Sequence, residues 1–195
     1  MTTRRTAIRM FVLGFLALPL TGCSYNKFVG QEEAIKAQWA QVENQLQRRN
    51  DLIPNLVETV KGYAGHEKGT LEAVINARNR AMSATSPGAK AEAENMLSGT
   101  LKSLFALSEA YPQLRAIESF TSLQNSLSQI EDTVQNARRY YNAVVRDLNT
   151  KIQVFPTNLF AGMMGFKTRE FFEVSATAER EAPKVSFNTP ATPTA

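Results

Sequence analysis

The 195-residue chain contains one cysteine and one histidine, and this scarcity excludes several kinds of site. Structural zinc sites and iron–sulfur clusters need several cysteine or histidine ligands. A single cysteine also cannot form a disulfide within the chain. His66-Glu67 begins like the H-E-x-x-H motif of zinc proteases, but Thr70 stands where the second histidine would be. We therefore expect no metal and no cofactor.

A strong excess of charge of one sign is also missing. The formal net charge is +4, and three of the 22 basic residues (Arg4, Arg5 and Arg9) lie near the N-terminus. Without them, 19 basic residues face 18 acidic ones, which is a net charge of +1. Lysine and arginine alternate with acidic residues, as on a solvated helix surface. The concentrated basic face of a nucleic-acid binder is absent, so we expect no nucleic-acid partner.

The apolar run Met10–Leu20 is shorter than the roughly 20 residues that a membrane-spanning helix needs. It follows the three arginines and precedes Leu20-Thr21-Gly22-Cys23, which resembles the lipobox of a bacterial lipoprotein. We expect residues 1–22 to be a signal peptide that is cleaved off. Cys23 would then become a lipid-modified N-terminus, carrying palmitate among its acyl chains, that anchors the chain to the membrane.

The alternative is an uncleaved, single-pass N-terminal anchor. Both interpretations place the body of the chain outside the cytoplasm, because basic flanks stay on the cytoplasmic side. We therefore expect a cell-envelope location on the periplasmic face. Ser24 after the lipidated cysteine would suit sorting to an outer membrane.

A regular apolar stripe runs from Phe120 to Phe155, without glycine or proline inside it. Spacings of three and four residues put such side chains on one side of a helix, because one turn takes 3.6 residues. This helix cannot bury its stripe against itself, so we expect partner helices of similar length. The stripe consists of Phe120, Leu123, Leu127, Ile130, Val134, Ala137, Tyr141, Val144, Leu148 and Phe155.

Two amphipathic stretches precede residue 83, and Pro54 decides how they are divided. Proline inside a helix loses a hydrogen bond and clashes with the preceding turn, at a cost of roughly 3 kcal/mol. We therefore favour a first helix from Tyr25 to about Asn50, then a turn, then a second helix. The competing interpretation is one kinked helix, because the apolar spacing continues from Leu46 to Val60.

Ser86-Pro87 has the order of a capping residue and a first-turn proline, so a third helix should follow the loop Ser83–Gly88. It should end near Ala110, and Pro112 should open the fourth helix. Four amphipathic helices with short connections predict an all-α fold, an antiparallel up-and-down four-helix bundle with long coiled-coil-like helices.

The bundle should occupy residues 23–173. We expect the apolar segment after Pro156 to cover one of its ends. Residues 174–195 are rich in alanine, threonine and proline, and they should form an extended to disordered tail.

Several motifs in this sequence resemble those of the LemA family, in the same order and at similar spacings. The resemblance runs from about Tyr25 to Phe187. It is carried by Gln47–Val57 (QRRNDLIPNLV), Lys61–Tyr63 with His66-Glu67, Glu109–Pro112 with Leu114, Phe120 with Leu123-Gln124, Ala137–Asn142, Val145–Asp147 with Asn149, Phe155-Pro156 and Phe171-Phe172.

The resemblance implies a membrane-tethered helical bundle of a bacterial envelope, and it implies no catalytic residue. The sequence departs from the family pattern in two places. Family members commonly carry a transmembrane anchor, whereas this chain has the lipobox at Cys23. Leu148 stands where the family often has a tyrosine before Asn149.

Arg48, Arg49 and Asp51 lie close to the predicted turn, and Glu131 and Arg138 lie along the fourth helix. One interpretation is an anion- or phosphate-binding site, since arginine forks and helix N-termini suit anions. The interpretation we favour is that Arg49 pairs with a carboxylate of the fourth helix and fixes the register of the bundle.

Two further groups of residues allow a functional and a structural interpretation. Tyr140-Tyr141-Asn142 could line a small pocket, but we favour sideways packing with the polar tips bonded to backbone. Met163, Met164 and Phe166 could contact lipid or a partner, but we favour a cap on the end of the bundle.

We expect a lipid-anchored envelope protein that works by binding rather than by catalysis. Its partners would be the membrane, through Cys23, and another envelope protein or a second copy of the chain, with no small-molecule substrate. The alternatives are a self-assembling structural protein and an enzyme or anion-binding protein that uses Arg, Glu and Tyr side chains between helices. A large exposed apolar patch would favour binding.

Overall fold

The computed structural model describes residues 2–64 and 67–173, with side chains from Tyr25 onward. It contains six helices and, within these ranges, no strand, so the all-α prediction is confirmed. The predicted tail (174–195) and His66 lie outside the described residues. The helices are α1 (Thr2–Ala64), α2 (Lys68–Ser83), α3 (Pro87–Ala110), α4 (Pro112–Arg115), α5 (Glu118–Gln153) and α6 (Thr157–Met163).

Helix α1 continues through Pro54, so the predicted turn between Asn50 and Pro54 is wrong and the single-helix interpretation is right. Pro54 has no N–H to donate to the carbonyl of Asn50, four residues earlier. Arg78 of α2 supplies the missing donor, because its Nε donates to the Asn50 carbonyl oxygen over 2.8 Å. Pro54 itself is exposed, and its ring is tolerated on this solvent-facing side of the helix.

The actual break lies between Ala64 and Lys68, in a stretch where Gly62 and Gly69 disfavour a helix. The predicted second helix is therefore divided between the end of α1 and α2. Two backbone hydrogen bonds carry the chain around the corner, from Glu67 N–H to the Ala64 carbonyl (3.0 Å) and from Leu71 N–H to the Glu67 carbonyl (3.2 Å).

The start of α3 agrees with the sequence. Ser86 is extended and its Oγ accepts a hydrogen bond from Ala89 N–H over 3.2 Å, while Pro87 occupies the first turn. The helix ends at Ala110 as predicted. Pro112 opens only the one-turn helix α4, however, and the long fourth helix begins at Glu118.

Helix α5 buries most of the predicted stripe. It ends at Gln153, because the residue before a proline is disfavoured in helical conformation and Phe155 precedes Pro156. The Thr157 hydroxyl donates to the carbonyl oxygens of Lys151 (2.5 Å) and Val154 (2.9 Å), which occupies acceptors at the helix end. The prediction that Phe155 belongs to the buried stripe is wrong, since its side chain is 79% exposed.

The core consists of two neighbouring clusters of buried residues. One is centred on Ile53, Leu97 and Phe120, where α1, α2, α3 and α5 meet. The other lies nearer Tyr25, the first residue with a described side chain. There Phe28, Val42 and Leu148 are buried between α1, α5 and α6. Leu52 and its neighbours connect the two.

Helices α1 and α5 run in opposite directions along each other. Trp39 lies against Tyr141, with ring centroids 5.1 Å apart, and Arg49 pairs with Glu131. Ten residues forward in α1 therefore correspond to ten residues backward in α5. This pairing places Phe28 of α1 near the C-terminal end of α5.

Candidate functional site

Arg49 sits at the centre of a polar cluster in the middle of the molecule. Its side chain is buried, and its two terminal nitrogens are shared between helices α3 and α5. Nη1 donates to Glu131 Oε2 (2.5 Å) and Ser98 Oγ (3.0 Å), and Nη2 forms a contact ion pair with Glu94. We call Arg49, Glu94, Ser98 and Glu131 the Arg49 cluster.

The electrostatics of the Arg49 cluster are those of a structural ion network. Burial lowers the pKa of the Arg49 guanidinium from its ordinary value, and the charge and hydrogen bond of Glu131 oppose that shift. Glu94 is buried as well, so the guanidinium neutralises a carboxylate that would otherwise be unpaired in the core.

The structure separates Arg49 from the other residues of the proposed anion site. Arg48 is exposed and faces an open groove of about 460 Å³ that Asp51 and Gln129 also line. Arg138 donates through Nε to the Phe172 carbonyl oxygen over 2.7 Å. The pairing of Arg49 with a carboxylate of the long helix α5 is confirmed, and Arg48, Arg49 and Arg138 do not converge on one anion site.

A second arrangement holds the extended segment Phe166–Glu173 along α5, and we call this segment the strap. Asn142 accepts a hydrogen bond from Phe172 N–H (2.9 Å) and donates to the Phe172 carbonyl (3.3 Å). Asn149 accepts from Arg169 N–H (2.8 Å) and donates to the Arg169 carbonyl (2.9 Å). Each amide side chain thus satisfies both backbone groups of one strap residue.

The spacing of residues along α5 and along the strap explains how two asparagines can each bond one strap residue. Seven residues of helix rise roughly 10 Å, and three residues of extended chain also span roughly 10 Å. Asn142 and Asn149 therefore match Phe172 and Arg169 without distortion. The Tyr141 hydroxyl adds a third bond by donating to the Glu170 carbonyl oxygen over 2.9 Å.

Aromatic packing closes the strap onto the helices. Phe172 is 1% exposed and lies edge-on to Trp39, with ring centroids 5.7 Å apart. The Arg138 guanidinium lies 5.4 Å from the centre of the Phe172 ring. Packing of Tyr141 and Asn142 with bonded polar tips is confirmed, whereas Tyr140 is exposed and takes no part.

A tight turn connects α6 to the strap. Gly165 has a φ of 77°, which a glycine adopts without steric cost. Its N–H donates to the Gly162 carbonyl (3.3 Å), and Phe166 N–H donates to the Ala161 carbonyl (3.0 Å), as in a Schellman cap. The turn brings Phe166 onto Phe28 of α1, with ring centroids 4.9 Å apart.

The outer side of the α5–α6 connection is apolar and exposed. The exposed fractions are 46% for Val154, 79% for Phe155, 61% for Leu159 and 84% for Met163. We call these four residues the apolar corner. The predicted cap is therefore split, because Phe166 packs on the bundle as expected whereas Met163 faces solvent.

A model of the LemA family matches residues 38–187, which are 150 of the 195 residues. The chain belongs to the LemA family. The resemblance noted from the sequence motifs is thereby confirmed.

Relatives of this LemA-family chain include three magnetosome proteins. Magnetosome proteins MamQ 1 and MamQ 2 of Paramagnetospirillum magneticum (strain AMB-1) are each 26% identical to it over 188 aligned positions, which cover 83% of this chain and 68% of each relative. Magnetosome protein MamQ of Magnetospirillum gryphiswaldense (strain MSR-1) is 25% identical over 174 positions, covering 76% of this chain and 64% of the relative.

Motifs that lie far apart in the LemA-family sequence meet in space. Asn142, from the motif Ala137–Asn142, holds Phe172 of the motif Phe171-Phe172, and Asn149 holds Arg169 of the same strap. Glu67, from the motif with His66, accepts a hydrogen bond from the Tyr111 hydroxyl over 3.1 Å. The sequence shows each motif alone, and no local pattern in it reveals these pairings.

The membrane anchor at Cys23 is a prediction from the sequence. Cys23 lies within α1, two residues before the first described side chain, and its lipidation follows from the lipobox alone. The cleavage of residues 1–22 is likewise a prediction. No helix in the described ranges combines the length and apolarity needed to cross a bilayer.

Proposed function

We infer that this LemA-family chain is a lipid-anchored cell-envelope protein that acts as a non-enzymatic interaction or scaffold module outside the cytoplasm. One observation carries the inference. The buried guanidinium of Arg49 is occupied by ion pairs with Glu94 and Glu131 between the helices, whereas apolar side chains are left exposed at the apolar corner.

The four long helices are proposed to form an antiparallel up-and-down bundle. The opposite directions of α1 and α5 support it, as does the bond from Arg78 of α2 to Asn50. Lys90 lies 3.5 Å from Glu43, and Glu94 pairs with Arg49, so α3 runs in the same direction as α1. Alternating directions for α1, α2, α3 and α5 are those of an up-and-down bundle.

The names of the relatives support the non-enzymatic part of the proposal. They assign these proteins to the magnetosome and name no reaction. The groove beside Arg48 agrees with this, since it offers only one basic and one acidic side chain among uncharged neighbours. A general acid and base next to a nucleophile would require more.

Metabolic labelling with palmitate tests the anchor. The full chain is expressed in a bacterium together with the Cys23→Ala variant, and Ser24→Ala serves as the neighbouring control. We expect the label, and a mass that starts at Cys23, in wild type and Ser24→Ala but not in Cys23→Ala. A wild-type chain that retains residues 1–22 and carries no label would show that the anchor is the uncleaved helix.

Light scattering of the detergent-solubilised full chain over a range of concentrations tests the scaffold role against self-assembly. A monomer mass at every concentration supports a module that binds other partners. A mass that grows with concentration would favour the self-assembling alternative.

A further inference from the structure

The apolar corner lies at the membrane-anchor end of the molecule. Phe166 leads from α6 directly onto Phe28 of α1, and its N–H is bonded to Ala161 of α6. Helix α1 continues from Phe28 toward the N-terminus without interruption. Cys23, the proposed lipidation site, therefore precedes Phe28 by only roughly 8 Å of helix rise.

Exposed apolar side chains are concentrated at this end. Ten large hydrophobic side chains of the described residues are exposed, and five of them belong to this region. These are the four residues of the apolar corner and Tyr25, whose ring centroid lies 6.0 Å from that of Phe166. The other five are distributed over α1, α2, α3 and α5.

The stretches that carry the apolar corner and Tyr25 contain basic side chains only, and the first acidic residues beyond them are Glu32, Asp147 and Glu170. The two stretches that form this end, 25–31 and 150–168, contain Lys27, Lys151 and Lys167 and no acidic residue. All three lysines are exposed. An apolar surface with a basic rim suits the headgroup region of a membrane that contains anionic lipid.

The geometry of α6 favours a flat surface as the occupant. Leu159 and Met163 are four residues apart and therefore project from the same face of the helix, while Ala161 points to the core. Phe155 lies in the turn that leads into α6, so the four exposed apolar side chains fall within one short stretch, residues 154–163. A short stretch of exposed apolar side chains can insert among lipid headgroups, where each side chain is buried without a preformed pocket.

We propose that the apolar corner, with Tyr25 and the three lysines, is a second membrane contact that inserts into the surface of an anionic bilayer. The proposal rests on the membrane anchor of the proposed function. With contacts at the anchor and at the corner, the long helices are held at a fixed angle to the membrane instead of swinging on a flexible tether.

Fluorescence quenching by brominated lipids tests the insertion. The full chain is purified from membranes and reconstituted into vesicles of phosphatidylethanolamine and phosphatidylglycerol with bromine on the acyl chains. Trp39→Phe removes the natural tryptophan, and circular dichroism checks that the helices remain. One tryptophan is then introduced by Phe155→Trp, or at the far end of α1 by Tyr63→Trp.

Tyr63 is a matched control because it is aromatic and 56% exposed, yet it lies about 50 Å from the corner along α1. We expect quenching about threefold stronger at position 155 than at position 63, since interfacial apolar side chains enter roughly 5–10 Å below the headgroups. Vesicles without phosphatidylglycerol should reduce the difference, and so should replacement of the three lysines by glutamine.

Equal quenching at the two positions would overturn the proposal. The tryptophan at position 155 could instead become shielded from solvent as the protein-to-lipid ratio rises, without being quenched by bromine. That result would also overturn the proposal and would identify a second copy of the chain as the occupant. Flotation of the same vesicles reports the anchor separately. A chain that floats without quenching at position 155 retains its anchor and lacks the second contact.

Discussion

Arg78 Nε lies 2.8 Å from the carbonyl oxygen of Asn50, the acceptor that Pro54 leaves without its helical donor. The bond runs from α2 to α1 and lets α1 pass through a proline without ending. We expect Arg78→Ala to lower the free energy of unfolding by about 1–2 kcal/mol, because a buried carbonyl loses its partner.

Restoring the backbone donor at position 54 should remove most of the dependence of stability on Arg78. In a Pro54→Ala background, the backbone N–H gained at position 54 can bond to the Asn50 carbonyl, so Arg78→Ala should cost much less. Urea unfolding of the four chains of this double-mutant cycle measures the coupling. Arg80→Ala, on the exposed side of α2, is the control. Strictly additive effects would contradict the role assigned to Arg78.

Arg49→Met should be among the most damaging single changes in the core. It leaves the Glu94 carboxylate buried without its counter-charge, which costs roughly 3–5 kcal/mol in comparable pairs. Adding Glu94→Gln should recover part of the loss. Arg48→Met, next in sequence but exposed, should change stability by less than about 0.5 kcal/mol. Similar losses at positions 48 and 49 would show that the Arg49 cluster does not hold the helices together.

Asn142→Ala should release the strap from α5. The substitution removes both hydrogen bonds to Phe172, while the helix itself remains intact. Trypsin should then cleave after Arg169 several times faster than in the wild type, which peptide mass spectrometry follows over time. Asn136→Ala, on the exposed side of the same helix, should cleave at the wild-type rate. An unchanged rate in Asn142→Ala would mean that the bonds of Asn149 and Tyr141, together with the aromatic packing, retain the strap without Asn142.

Gly165→Ala and Gly162→Ala should have opposite effects although the two glycines are three residues apart. Gly165 has a positive φ, where an alanine costs roughly 1–2 kcal/mol. Gly162 lies in α6, with open space around an added methyl group, so alanine should be neutral or stabilise by up to about 1 kcal/mol. Thermal unfolding of the two variants measures these effects. Equal changes in stability would contradict the cap geometry assigned to Gly165.

Tyr141 should make the fold weaken at alkaline pH. Burial, and after it the charge of Glu170, raises the pKa of Tyr141 above its ordinary value of 10.0. Above that pH the unfolded chain ionises this phenol while the folded chain keeps it neutral, so unfolding releases a proton and becomes easier as pH rises. Tyr141 contributes its full stabilisation at pH values below its ordinary pKa and loses it as the pH rises through the raised pKa of the folded state.

Urea unfolding from neutral pH to above the ordinary tyrosine pKa measures this slope. Tyr141→Phe should have a flatter dependence on pH in the alkaline range, at a lower stability near neutral pH. Tyr140→Phe, at an exposed neighbour, should retain the wild-type slope. Identical slopes in all three proteins would show that the Tyr141 phenol ionises alike in both states.

Features that depend on neighbouring residues were predictable from the sequence. The cap at Ser86, the end of α3 at Ala110 and the buried stripe of α5 each follow from a local rule of capping or spacing. The fate of Pro54 was not predictable in this way, because its rescue comes from Arg78, 24 residues later. Phe155 was misassigned because its spacing continues the stripe although the helix has already ended.

The candidate sites show the same division. The pairing of Arg49 with a carboxylate of the long helix α5 was predicted, because an arginine on an apolar helix face requires a counter-charge; the structure identifies that carboxylate as Glu131. The second partner, Glu94, was not, since its helix position gives no signal of burial. The strap was missed because hydrogen bonds from asparagine to backbone leave no periodic pattern in either segment.

Because α1 is continuous, a small tilt at one of its ends produces a large displacement at the other. Between Tyr25 and Ala64 the helix is an unbroken lever of roughly 60 Å, since the single proline within that span does not act as a hinge. A tilt of about 10° at the anchor end displaces the far end by roughly 10 Å, given this rise per residue. If the proposed anchor and the apolar corner hold this end on a bilayer, a small change in bilayer thickness or curvature would become a large movement at the opposite end of α1.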